Sequence, residues 1–92
     1  MRNRTRSEII ADILLTLARS AATETKIMYN VMLSFGQLKE HLRYLIERNL
    51  IEFDPRARLY LITEKGTKLL DASEGVSNLV EIAPFDKIGA SF

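Results

Sequence analysis

At 92 residues, 47% of them hydrophobic and 27% charged, the chain has the size and composition of one small globular domain, too short for a two-domain enzyme with a buried cleft and too apolar for wholesale disorder. It has no cysteine, which excludes a disulfide framework, a thiolate nucleophile and a sulfur ligand for zinc or an iron–sulfur cluster. The net charge of +1 hides an asymmetry: residues 1–70 carry twelve Lys/Arg against eight Asp/Glu, whereas residues 71–92 carry one Lys against four acids, so a body suited to an anionic partner precedes an acidic tail.

No apolar run approaches the roughly 18 residues that a membrane span needs. The basic start, MRNRTRSE, leads into an apolar run broken by Asp12 and lacks a small-residue cleavage pattern, so it does not read as a signal peptide. A cytoplasmic protein without a membrane partner is expected. Arg2, Arg4 and Arg6 alternate with Asn3 and Thr5 in a basic arm, residues 1–5, able to follow phosphates or to remain a solvated terminus.

Thr5 with Glu8 three residues on forms a capping box, and Ile9, Ile10, Ile13, Leu14 and Leu17 repeat at helical spacing, which predicts a first helix over 6–19 with its apolar face in the core. SAATET, residues 20–25, is a connector whose Thr23 or Thr25 can cap the next helix and which could supply a short strand. KIMYNVM, residues 26–32, is a short second helix with Ile27, Met28 and Val31 inward and Lys26, Tyr29 and Asn30 outward. Its methionines are gap-filling core rather than a ligand box. A tight turn at Leu33 then leads to SFGQLKEHLRYLIERN, residues 34–49.

That third helix carries a second capping box, Ser34 with Gln37. Phe35, Leu38, Leu42, Leu45, Ile46 and Asn49 fall on one stripe, expected to face the core. Gly36, Gln37, Glu40, Arg43, Tyr44 and Glu47 fall on the other side, with Lys39 and Arg48 on its flanks. Such a face can touch base edges and phosphates. Asn49 suits the left-handed position that closes a helix.

LIEF and RLYLI, residues 50–53 and 58–62, flank Asp54-Pro55-Arg56-Ala57, a type I turn signal, and so predict a hairpin with Arg56 and Arg58 at its tip. Thr63 then caps a fourth helix, TEKGTKLLDASEG, with Leu69 and Leu70 inward. Val76, Leu79, Val80 and Ile82 make an apolar patch that either folds back on its own domain or, the favoured expectation, is buried with Leu70 against a second copy of the chain.

Helix, tight turn, helix, preceded by a helix and followed by a hairpin, is the order of a winged helix-turn-helix. The expected class is α+β, mainly α: three helices, a two-stranded β-hairpin wing and a C-terminal fourth helix. The domain covers residues 6–71, and residues 72–92 form a C-terminal helix and tail. The residues placed at double-stranded DNA are Lys26, Tyr29, Asn30, Ser34, Gly36, Gln37, Lys39, Glu40, Arg43, Tyr44, Arg56 and Arg58. Base edges fall to Gln37, Glu40, Arg43 and Tyr44, and phosphates to the cations with Tyr29.

The stretch KIMYNVMLSFGQLKEHLRYLIERNLIE followed by LYLITEKGTKLL resembles the archaeal winged-helix regulators, on Ile27-Met28-Tyr29, Leu33-Ser34-Phe35, Gln37-Leu38 and Thr63-Glu64-Lys65-Gly66. It is also similar to the small archaeal chromatin-associated proteins that share this domain. The likeness covers roughly residues 7–71, with Asn49 where a glycine is common. It implies DNA binding by the third helix and the wing, in a homodimer joined through C-terminal helices.

Catalysis has little support. His41 is the single histidine, between the buried stripe and the exposed face, and reads as structural. Glu40 and Glu47 lie within a turn of Arg43 and read as its ion-pair partners. No phosphate loop, metal spacing or nucleophile motif occurs, so no cofactor, metal or small-molecule ligand is expected. Three readings stay open: a sequence-reading regulator, a non-specific chromatin protein, and a winged helix that docks a protein and never touches DNA. Glu40 and Glu47 repel phosphate and weigh against the second.

Overall fold

Every helix begins where a short hydroxyl side chain can take an amide that the helix leaves orphaned. Thr5 accepts from the Glu8 amide while the Glu8 carboxylate accepts from the Thr5 amide, which opens α1 (Arg6–Arg19). Thr23, not Thr25, accepts from the Lys26 amide and starts α2 (Glu24–Val31), two residues ahead of the expected position. Ser34 and Gln37 complete the second reciprocal box at the start of α3 (Phe35–Glu47). Strands β1 (Ile51–Asp54) and β2 (Leu59–Ile62) come next, and Thr63 accepts from the Gly66 amide at the head of α4 (64–72). The computed structural model describes residues 4–72.

The strands pair antiparallel, Ile51 with Ile62 through Asp54 with Leu59. The connector adds a strand-like contact, since Ala22 and Tyr60 exchange both backbone hydrogen bonds, at 3.1 and 2.8 Å. The sheet is thereby tied to the loop between α1 and α2. The hairpin loop is Pro55–Arg58, one residue out of step with the expected strands. The Asp54 carboxylate accepts from the Arg56 and Ala57 amides, and the Asp54 carbonyl accepts from Arg58 at 2.7 Å. Arg58 sits at φ 58° and therefore closes the loop rather than beginning the strand.

The core takes Ile13, Leu14 and Leu17 from α1, Ile27 and Val31 from α2, and Leu38, Leu42 and Leu45 from α3, with Ala22, Leu50, Ile51 and Leu70 closing it. At about 25 cal/mol per Å² of apolar surface, each of the three α3 leucines contributes roughly 1.5–3 kcal/mol. The inward stripe expected on α3 is too wide: Phe35 is 54% exposed and Ile46 38%, and Asn49 is exposed. A core this small fills with three positions of one helix, and Phe35, the first residue of α3, lies beyond its edge. For the same reason Leu69 stays 42% exposed while Leu70, its neighbour, is buried.

The end of α3 closes as a Schellman motif. Leu50 donates to the Leu45 carbonyl at 2.9 Å and Asn49 to Ile46 at 3.0 Å, with Asn49 left-handed at φ 62°, in keeping with its residue type. The carbonyls left over are taken by α4. Lys65 donates to Arg48 at 3.0 Å, the Thr63 hydroxyl to Asn49 at 2.7 Å, and the Thr63 amide to Leu50 at 3.1 Å. Gly66 completes the seam because a Cβ there would stand 2.2 Å from the Leu50 carbonyl oxygen. Thr63, Lys65 and Gly66 thus form one device that docks α4 on the end of α3. No helix among the described residues is long and apolar enough to cross a membrane.

Candidate nucleic-acid interface

The exposed side of α3 is held in place by both its ends and by its three buried leucines. Gly36, Lys39, Glu40, Arg43 and Glu47 are all exposed, and nothing lies within 4 Å of where a Gly36 Cβ would be, so a ligand can approach the backbone there. The ion pairs expected between Arg43 and Glu40 or Glu47 do not form. Among the described residues the bridges are Arg4 with Asp12 and Lys68 with Glu64. For Glu47 the order, arginine N-terminal to glutamate at i,i+4, is the weaker one on a helix, and the Arg43 guanidinium has no carboxylate partner among the described residues.

The other candidates fall into three groups. Lys26, Tyr29 and Asn30 on α2 are exposed, as are Arg56 and Arg58 in the hairpin loop. Ser34 and the side-chain carbonyl of Gln37 are occupied by the cap, so Gln37 retains only its amide NH₂ for a base edge. Tyr44 is half-buried and packs against the edge of the core. The Arg6 and Arg48 guanidinium carbons lie 4.2 and 4.3 Å from its ring centre, a cation–π arrangement. Lys39 lies 5.0 Å over the Phe35 ring.

His41, half-buried beside this group, has a pKa below the usual value, first through burial and then through the positive field of Arg6, with Glu40 opposing. Arg4 is not a phosphate-tracking arm residue. It pairs with Asp12 at 2.7 Å and donates to the Val31 carbonyl, capping the C-terminal end of α2 from 27 residues away. Among the dimerisation candidates, Leu70 is spent in the core, and Val76, Leu79 and Val80 lie outside the described residues.

Sequence reasoning missed three features. One is the Arg6–Tyr44–Arg48 group, whose single local signal is the four-residue spacing of Tyr44 and Arg48. Another is the Thr63-Lys65-Gly66 seam. The third is Met32, expected to fill the core, which instead closes α2 in the left-handed region at φ 57° and is 83% exposed, a position at which glycine would carry no steric cost.

A family profile described as winged helix-turn-helix matches residues 3–81. The chain belongs to the winged helix-turn-helix family. In this arrangement α2 and α3 are the two helices of the helix-turn-helix and the β1–β2 hairpin is the wing. Among solved structures, wild-type ZitR of Lactococcus lactis superposes with a TM-score of 0.66 at 23% identity, covering 89% of this chain and 61% of that one. A point mutant of the same protein gives 0.63 at 21% identity, covering 89% and 65%. This winged helix-turn-helix chain spans less than two thirds of the length of either, and at these identities the likeness is one of fold. No curated protein matches.

Proposed function

We propose that the protein binds double-stranded DNA as a transcription regulator in the cytoplasm, without catalysis, inserting α3 in the major groove while the Pro55–Arg58 loop lies along the backbone or minor groove. The observation that carries this reading is the exposed Arg43 guanidinium, without a carboxylate partner among the described residues although two glutamates lie within a turn of it. An arginine bidentate to guanine is worth about 1–3 kcal/mol of discrimination. Lys26, Tyr29, Lys39, Arg56 and Arg58 supply phosphate contacts, and Asn30, Ser34 and Gly36 border them. The residues that resemble archaeal winged-helix regulators support the same reading.

Selection of bound sequences from a random duplex pool tests it. A recovered consensus whose affinity falls at least tenfold on Arg43→Ala is expected. Tight binding without preference would favour an architectural chromatin role. A second reading has its own observation: Tyr29, Met32 and Phe35, around the turn between α2 and α3, are exposed apolar or aromatic groups that suit a protein partner. Absence of duplex binding at low salt would favour it.

We further infer a homodimer through the C-terminal part, from exposed Leu69 and from Val76, Leu79 and Val80. Equilibrium sedimentation is expected to give twice the 10.5 kDa chain mass, and a monomer at micromolar concentration would refute it.

A further inference from the structure

We propose that Arg6, Tyr44 and Arg48 form a second phosphate-backbone contact, so that cations hold both edges of the groove that α3 enters. This rests on the DNA-binding reading above and extends it to α1. On a helix of 3.6 residues per turn, Lys39 and Tyr44 stand about 140° apart. Lys39 therefore lies on one flank of the exposed face, Gly36, Glu40, Arg43 and Glu47 nearer its centre, and Tyr44 with its two arginines on the other flank. Carboxylates in the middle and cations at both sides match a major groove, where base edges such as the cytosine amino group lie centrally and phosphates line both rims.

The geometry suits two neighbouring phosphates. Both guanidinium carbons are within 4.3 Å of one ring centre, hence no more than about twice that apart, a span over which two forked donors can each take one of two neighbouring phosphates. Neither arginine has a carboxylate within 4 Å among the described residues, and both are exposed. Tyr44 is the positioning residue: held at the edge of the core, it fixes two side chains that would otherwise lose rotamer freedom on binding. Arg6 leaves the first turn of α1 at a point set by the Thr5 cap, so the contact is built into the fold.

The test is the salt dependence of affinity for a random-sequence duplex and for a selected one, with the full-length chain. Each phosphate contact contributes about −0.9 to the slope of log K against log salt. Arg6→Ala with Arg48→Ala is expected to flatten that slope by nearly two and to weaken both duplexes by the same factor, leaving the ratio between them unchanged. Arg6→Lys with Arg48→Lys should restore most of the slope, and an unchanged thermal midpoint of that variant would separate charge from folding. Duplex binding with the wild-type slope in the double alanine variant, or a slope not restored by lysine in a folded variant, would overturn the inference alone. Failure of the wild-type chain to bind any duplex would overturn the DNA-binding reading and this inference with it.

Discussion

Met32 and Gly66 each hold a position against the intrinsic preference of the residue type. Met32 is left-handed at φ 57° with its side chain in solvent, a conformation that costs an L-residue about 1–2 kcal/mol. Met32→Gly removes that strain and adds some unfolded-state freedom. A net gain of up to about 1 kcal/mol is expected from the shift in urea midpoint. Gly66 is in a helix, where alanine is intrinsically better by about 1 kcal/mol, yet a methyl group there meets the Leu50 carbonyl oxygen at 2.2 Å and Ile62 at 2.8 Å. Overpacking wins over propensity: Gly66→Ala should destabilise by roughly 1–3 kcal/mol, read from the same titration. The helical pattern around Gly66 registers only the propensity cost, because the obstructing atom belongs to Leu50, on the far side of the hairpin in the chain.

For the helices and strands, starts were legible and docking was not. The two capping boxes and the left-handed Asn49 rest on residues three or four apart, so the chain carries the whole of the information locally. Ser34→Ala is expected to cost about 1 kcal/mol by denaturant titration, and to weaken any duplex binding by fraying the first turn of α3. How α4 meets α3 depends instead on pairs 14 and 17 residues apart. Thr63→Val keeps the shape of the side chain but removes both its donated bond to Asn49 and its cap of Gly66. A loss of about 1–3 kcal/mol is expected, larger than for a simple cap, because a carbonyl and an amide lose their partner together.

For the molecule as a whole, pH sets two limits on stability. The His41 pKa is lowered in the folded state from its ordinary value of 6.5, by burial first and by Arg6 second. The unfolded chain therefore takes up the proton more readily, so the stability held above pH 6.5 declines as pH falls below it. Tyr60 behaves conversely. Its pKa is raised by burial and then by Glu24, so the unfolded chain ionises first and stability declines as pH rises above 10. Thermal melts should show a plateau between these values, and His41→Asn should blunt the acid limb while sparing the alkaline one. An acid limb unaltered by His41→Asn would mean that the imidazole is not its source.

What the order of residues settles unaided is the kind of element at each place and hence the winged helix-turn-helix arrangement, since caps, turns and helical periodicity act over a few positions. What only the packed chain decides is which side of each element remains free. Periodicity places Phe35 and Ile46 inward, and they lie outward; it places Tyr44 at the groove, and the ring packs against two arginines. Arg4 reads as part of a loose arm, and it caps α2. The reason is geometric: periodicity gives the direction of an apolar stripe but not its width. The width depends on how much surface the neighbouring elements can cover, and in a core this small they cover three leucines of α3 and leave its rims to solvent and charge.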